Sequence, residues 1–286
     1  MIHYGIDIAV FDAVCCPISS VTAMNRIAPL MVHLDLGGMI YHSQIDHHVL
    51  PGRDDYSLNS HIQHKASVIP LGCDFHNKLK SIGKMTFKDI DESVVKIGSV
   101  GHLHKMANND FINIVGRILA ENPNSYFLFA GMGSNNEIEF ILNGIAEYLH
   151  SAQRVKYVGF LKEELPSFIL SLDLCLNTYP MPGGTVTLEI MAAGVPIVSL
   201  VEKELSAWNS VYDNIGIQDI IFSLKEKHKF YEGVRRLIND VAYKKEMGKK
   251  LQERYFNEFT YAKVTKKHET LYLSLYEDKL TKTNLQ

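Results

Sequence analysis

The sequence predicts an α/β chain, with a C-terminal parallel-sheet domain covered by helices on both faces and a smaller, partial α/β lobe before it. Three observations lead there. From Val94 onward, short apolar runs alternate with amphipathic helical stretches, the pattern of a parallel sheet. Leu172 to Leu200 reads as strand, glycine turn, helix and strand. Residues 76–92 are polar, mix lysines with acids and lack strong periodicity, so they read as a linker between lobes. The expected domains are therefore 1–92 and 93–286.

Ile6 to Phe11 reads as a short buried strand, and Ile27 to Leu34, interrupted by Pro29, as another. His47 to Asp55, with Pro51-Gly52, is loop-like, and Ser67 to Leu71 is a short strand ending at Pro70. Beyond the linker, Val95 to Val100 is a strand. Asp110 to Ala120 is a helix with Phe111, Ile114, Val115 and Ile118 on its apolar side. Asn122-Pro123-Asn124 turns the chain into the strand Tyr126 to Ala130, closed by Gly131. Glu137 to His150 is helical, with Ile138, Ile141, Leu142 and Ile145 on one face. Val155 to Val158 is a strand, Glu163 to Ser171 a helix, and residues 227–284 are mostly helical with charged faces and an aromatic-rich tail.

Composition bounds the function. At 286 residues and 46% hydrophobic content the chain has enough apolar side chains for real cores. A net charge of −3 gives no electrostatic reason to expect a nucleic-acid partner. No apolar run approaches the ~18–20 residues of a membrane span, and no signal-type segment opens the chain. Cys15, Cys16, Cys73 and Cys175 show no C-x-x-C spacing and read as reduced, buried thiols. These features imply a cytoplasmic protein.

The chemistry concentrates at Gly183-Gly184-Thr185. A helix opened by two glycines and a threonine presents unpaired N–H groups and the positive end of its dipole, which suits phosphate oxygens. The glycines let an anion approach the backbone, Thr185 and Thr187 add hydroxyl donors, and Glu189 follows one turn later, where it can accept from a sugar hydroxyl. Taken alone, the turn also fits an ordinary βαβ unit. Asp89-Ile90-Asp91 has the form of a metal-binding D-x-D but lies in the linker and reads as a solvated acidic patch. His42, His47, His48, His61 and His64 fit no compact zinc spacing and read as polar surface.

Asn177-Thr178 with its Pro turn, then Gly183-Gly184-Thr185-Val186-Thr187-Leu188-Glu189 and Ala193-Gly194-Val195-Pro196-Ile197-Val198, resembles the nucleotide-binding half of GT-B glycosyltransferases. Within them it is similar to the branch of the O-GlcNAc transferases and HMW1C-type bacterial protein glycosyltransferases. The resemblance covers roughly residues 94–275 and, more faintly, residues 4–75. It implies a Rossmann-type C-terminal domain and a UDP-sugar donor, with no separate cofactor. It also implies roles: Lys105 and His102 on the donor diphosphate with Gly183, Gly184, Thr185 and Thr187; Glu189 on the ribose; and Phe160, Leu161 and Lys162 beside the nucleobase. Lys105 and His102 also fit a solvated loop lysine and a histidine that caps a helix. Many retaining members carry two glutamates eight apart around the turn. Here Met181 stands eight residues before Glu189, which argues against the common retaining subgroup and agrees with the inverting branch. With no D-x-D at the strand ends, the expected enzyme is also metal-independent.

The segments Tyr4 to Ile8 and Arg26 to Val32 resemble the closing part of the family's N-terminal lobe, which in relatives is about twice as long. An inverting transfer needs a base, or a substrate-borne proton path, to activate the acceptor, and His33, after the strand-like Ile27 to Val32, is foremost among the candidate histidines. The expected function is transfer of a hexose or N-acetylhexosamine from a UDP-sugar to a protein or glycan. The alternative is a catalytically silent nucleotide-sugar-binding or scaffold subunit. A short lobe also implies self-association or a partner subunit that completes it.

Overall fold

The structure is a computed structural model that describes residues 5–12, 17–35, 43–52, 60–151, 153–202 and 214–284. Cys15, Cys16 and His42 lie outside the described residues. The chain divides into two compact units, Met1–Gly72 with Phe259–Gln286, and Cys73–Glu258.

In the first unit, β1 (Ile8–Asp12), β2 (Leu30–Leu34), β3 (His47–Leu50) and β4 (Ala66–Val68) form a parallel sheet in that order. Helix α1 (Pro17–Ala23) packs Ala23 into a cluster with Ala9, Phe11, Ala28, Met31 and Ile45. A second cluster joins Leu30, Val32, Val49 and Ile69 to Val264, with Leu271, Tyr272, Leu275 and Tyr276 packed against it. Those last side chains come from the final helix, Tyr261–Asn284. Its Tyr276 hydroxyl donates to Asp7 (2.8 Å) and its Lys279 to Asp46 (2.7 Å).

Two expectations change here. His47 to Leu50 is a wholly buried strand rather than the start of a loop. Its histidines are not surface groups either: His47 Nε2 meets Ser67 Oγ at 2.9 Å, and His48 Nδ1 meets His33 Nδ1 at 3.2 Å. Polar rings become tolerable in a core once each finds a partner. The boundary also moves. The sequence suggests a break after residue 92, yet residues 73–92 group with the second unit, and the last helix returns to the first. The physical reason is contact: helix α2 (Phe75–Leu79) buries Phe75, and the Tyr255 hydroxyl donates to Cys73 O at 2.6 Å.

The second unit continues with β5 (Val95–Val100), α3 (Asn109–Glu121), β6 (Ser125–Ala130), α4 (Asn135–Leu149), β7 (Val155–Gly159), α5 (Leu165–Ser171), β8 (Leu174–Leu176), α6 (Thr185–Ala192), β9 (Ile197–Val201), β10 (Ile221–Ser223), α7 (Lys227–Asn239) and α8 (Val241–Glu258). The sheet is parallel in the order β10-β9-β8-β5-β6-β7, the order of a Rossmann fold. β8 and β9 are buried along their whole length, as expected of strands covered on both faces. Helix α3 buries Phe111, Ile114, Val115 and Ile118, and α4 begins with a reciprocal Ser134–Glu137 capping box. The order reverses between β5 and β8, so a crevice opens outside their carboxyl ends. No helix among the described residues is long and apolar enough to cross a membrane.

Candidate functional site

The loops after β5 and β8 meet at that crevice. After β8, Asn177 is buried and holds the turn from within. Its Oδ1 accepts from Gly183 N (2.7 Å) and its Nδ2 donates to Ser199 Oγ (3.0 Å). The Thr187 hydroxyl donates to Gly183 O at 2.7 Å and is fully buried. Two of the expected phosphate donors are therefore corrected: the Gly183 N–H and the Thr187 hydroxyl shape the turn rather than face a ligand. A Cβ at Gly183 would fall 2.4 Å from Val186 Cγ1, so this position has no room for a side chain. Gly184 and Thr185 are exposed. The first acceptor of the helix is Gly184 O, which takes the Thr187 N–H at 3.0 Å, so the N–H groups of Gly184, Thr185 and Val186 have no intrahelical acceptor.

After β5, residues 103–105 make a single 3-10 turn that carries Lys105. Its Nζ reaches across to Pro182 O at 3.3 Å, beside the glycine turn, and partial burial lowers its pKa. His102 is exposed at the start of that turn and makes no side-chain cap bond. Its ring lies 5.6 Å from that of His104. Asn108 caps α3 by accepting from Phe111 N (2.9 Å).

A cavity of about 280 Å³ lies next to these loops, lined by Gly101, His102, Gly131, Phe160, Leu161 and Glu189 among others. It is mostly apolar, as small-molecule sites are. Its floor is glycine for a steric reason. Gly131 has φ +150°, and a Cβ there would sit 1.6 Å from Gly101 O. The Tyr157 hydroxyl fixes the same peptide by donating to Gly131 O (2.8 Å). Glu189 is half-buried. Burial pushes its carboxyl up, and Lys78 draws it partly back. Phe160 is 55% exposed, and Lys162 lies over its ring at 5.9 Å, outside the lining of the cavity.

The structure thus brings His102, Phe160, Leu161 and Glu189 to one cavity, with Lys105 and Gly183–Thr185 at the neighbouring loops. His33 belongs to the first unit, in β2, at 0% exposure. Asp89 pairs with Lys156 at 3.3 Å, and Asp91 accepts from Ser93 N at 2.7 Å. Among the described residues, no three His, Cys, Asp or Glu side chains are grouped to hold a metal. Sequence reasoning missed Asn108, although an Asn three residues before an apolar Phe is a helix-start signal.

No curated protein matches the chain in sequence. Among solved structures, a Thermobaculum terrenum O-GlcNAc transferase mutant superposes with TM-score 0.71 at 15% identity, over 98% of this chain and 55% of that one. Anabaena HepE in complex with UDP gives 0.67 at 16% identity, over 90% and 74%. An E. coli trehalose-6-phosphate structure bound with UDP-2-fluoro glucose gives 0.73 at 11%, over 95% and 73%. These likenesses show a GT-B-like fold, and this chain spans only 55% of the length of the O-GlcNAc transferase. The family model described as glycosyl transferases group 1 matches residues 94–240, just over half of the chain. That stretch holds β5 through α7 and both loops at the crevice. The chain belongs to the glycosyl transferases group 1 family.

Proposed function

We propose that the chain binds a UDP-sugar and transfers its hexose or N-acetylhexosamine to a protein or glycan, with inversion and without a metal. The observation that carries this reading is the bond of Lys105 Nζ to Pro182 O across the crevice, which brings the lysine beside the loop that leads into the Gly184-Thr185 helix start. A departing nucleoside diphosphate gains negative charge as the glycosidic bond breaks, and preformed donors at that place stabilise it. Glu189 faces the ribose, and the glycine-floored cavity takes the base between Phe160 and Leu161. Complexes of HepE with UDP and of the E. coli structure with UDP-2-fluoro glucose support the choice of nucleotide. Met181, eight residues before Glu189, supports inversion, and kinship with the O-GlcNAc transferase and HMW1C-type branch is part of this proposal.

A second reading, a silent donor-binding subunit, is favoured by one fact. His33, the candidate base, is fully buried with its Nδ1 on His48. Such a subunit acts within a larger assembly or as a homo-oligomer. The test is UDP titration of the purified chain with and without excess EDTA, followed by NMR of the product anomer from UDP-GlcNAc and UDP-glucose with peptide and sugar acceptors. Binding that survives EDTA and an inverted product are expected. Binding without turnover selects the second reading, and EDTA-abolished binding or a retained anomer refutes the mechanism.

A further inference from the structure

The two loops of the crevice are tied together by one side chain that neither sequence motif contains. Asn108 ends the loop after β5. Its Oδ1 accepts from Phe111 N at 2.9 Å, capping α3. One Nδ2 hydrogen goes to Lys105 O at 3.1 Å, within its own loop. The other crosses the switch point to Tyr179 O at 2.9 Å, in the loop after β8. The amide orientation follows from these partners. Flipped, it would aim an oxygen at two carbonyls and an NH₂ at a backbone N–H.

A second tie between these loops runs from Lys105 Nζ to Pro182 O. A lysine that leaves that carbonyl for a diphosphate oxygen gives up this tie. The backbone of residues 105 and 179 is then held in register by the Asn108 amide, which stands outside the lining of the cavity. We infer that Asn108 is a positioning residue that sets the distance between Lys105 and the Gly183-Gly184 turn; this rests on the reading of the crevice as a UDP-sugar site. A displacement of about 1 Å between two preorganised donors is enough to weaken a charged ligand severely.

Capping and bridging are separable by substitution. Serine caps a helix about as well as asparagine but is too short to reach both carbonyls. UDP affinity is therefore measured by titration calorimetry for the wild-type chain, N108S, K105A and the double variant, with a melting curve for each. N108S is expected to bind UDP about tenfold more weakly, the scale of one or two hydrogen bonds that position a charged group. In the K105A background the same change should cost less than about twofold, because the lysine it positions is gone. N108D retains the cap and turns an acceptor toward both carbonyls, and it replaces N108S if the latter does not fold. Affinity of N108S within twofold of wild type overturns the inference. So does an undiminished tenfold loss on top of K105A, which is what a merely structural role would give. A wild-type chain that binds no UDP at all overturns the donor-site reading itself and this inference with it, and is recognised before any variant is made.

Discussion

Acidification should loosen the first unit, and the buried histidine pair fixes by how much. His48 is 1% exposed, and burial, helped by the neighbouring His33, Lys65, His47 and His61, lowers its pKa from 6.5 to about 3. The folded chain therefore keeps this ring neutral, whereas the unfolded chain protonates it below about pH 6.5. The unfolded state binds more protons throughout that window, so stability is complete above it and falls as pH drops toward 3. Between pH 7 and pH 5, one such group costs about 2 kcal/mol. His47, whose pKa burial also lowers, adds to the loss with the same sign. Hydrogen–deuterium exchange of peptides spanning residues 30–34 and 47–50, corrected for intrinsic rates, reads the opening free energy of β2 and β3 directly. The H48Q variant should lose much of the pH slope, and the strand Ser125–Ala130 of the other unit serves as control. Equal opening free energies at the two pH values in the wild-type chain would refute the argument, as would a slope unchanged in H48Q.

Two further outcomes follow from the site. Gly131→Ala forces a Cβ against Gly101 O at a φ of +150°, so denaturant unfolding should show a loss above about 2 kcal/mol. Lys105→Ala should weaken UDP binding by about 1–3 kcal/mol in titration calorimetry, the range for losing a hydrogen bond to a charged group. Unchanged affinity would remove Lys105 from the site.

The second unit was legible because its signals are local. Phe111, Ile114, Val115 and Ile118 mark one face of a helix, and Ile197 to Leu200 is a short apolar run between turns. The predicted elements there lie within a few residues of those observed. β10, Ile221–Ser223, is not legible in the sequence: it sits directly between the 3-10 turns Gln218–Ile220 and Leu224–Glu226, with no glycine or proline turn to mark its ends. The strand His47–Leu50 was misread because its burial depends on His33 and Ser67, fifteen and twenty residues from their partners. The same limit applied at the crevice. The glycine turn announced a phosphate-sized opening, but the Gly183 N–H had already been taken by Asn177, whose role is visible only in three dimensions. The unit boundary failed for a related reason, because an amphipathic helix at residues 261–284 does not state which sheet it covers.

That last helix has a consequence for how the chain is made. Cys73–Glu258 is one continuous stretch, whereas the sheet built from β1 to β4 is completed by side chains that follow it in the sequence. On the ribosome the later-coded unit can therefore reach its native state first. The earlier strands emerge early and must wait, with Leu30, Val32 and Val49 lacking the cover of Val264, until the final twenty-four residues of helix have left the exit tunnel. During that interval their apolar faces are open to chaperones or to neighbouring nascent chains, and premature termination near residue 258 would give a product with one whole unit and one without its covering helix.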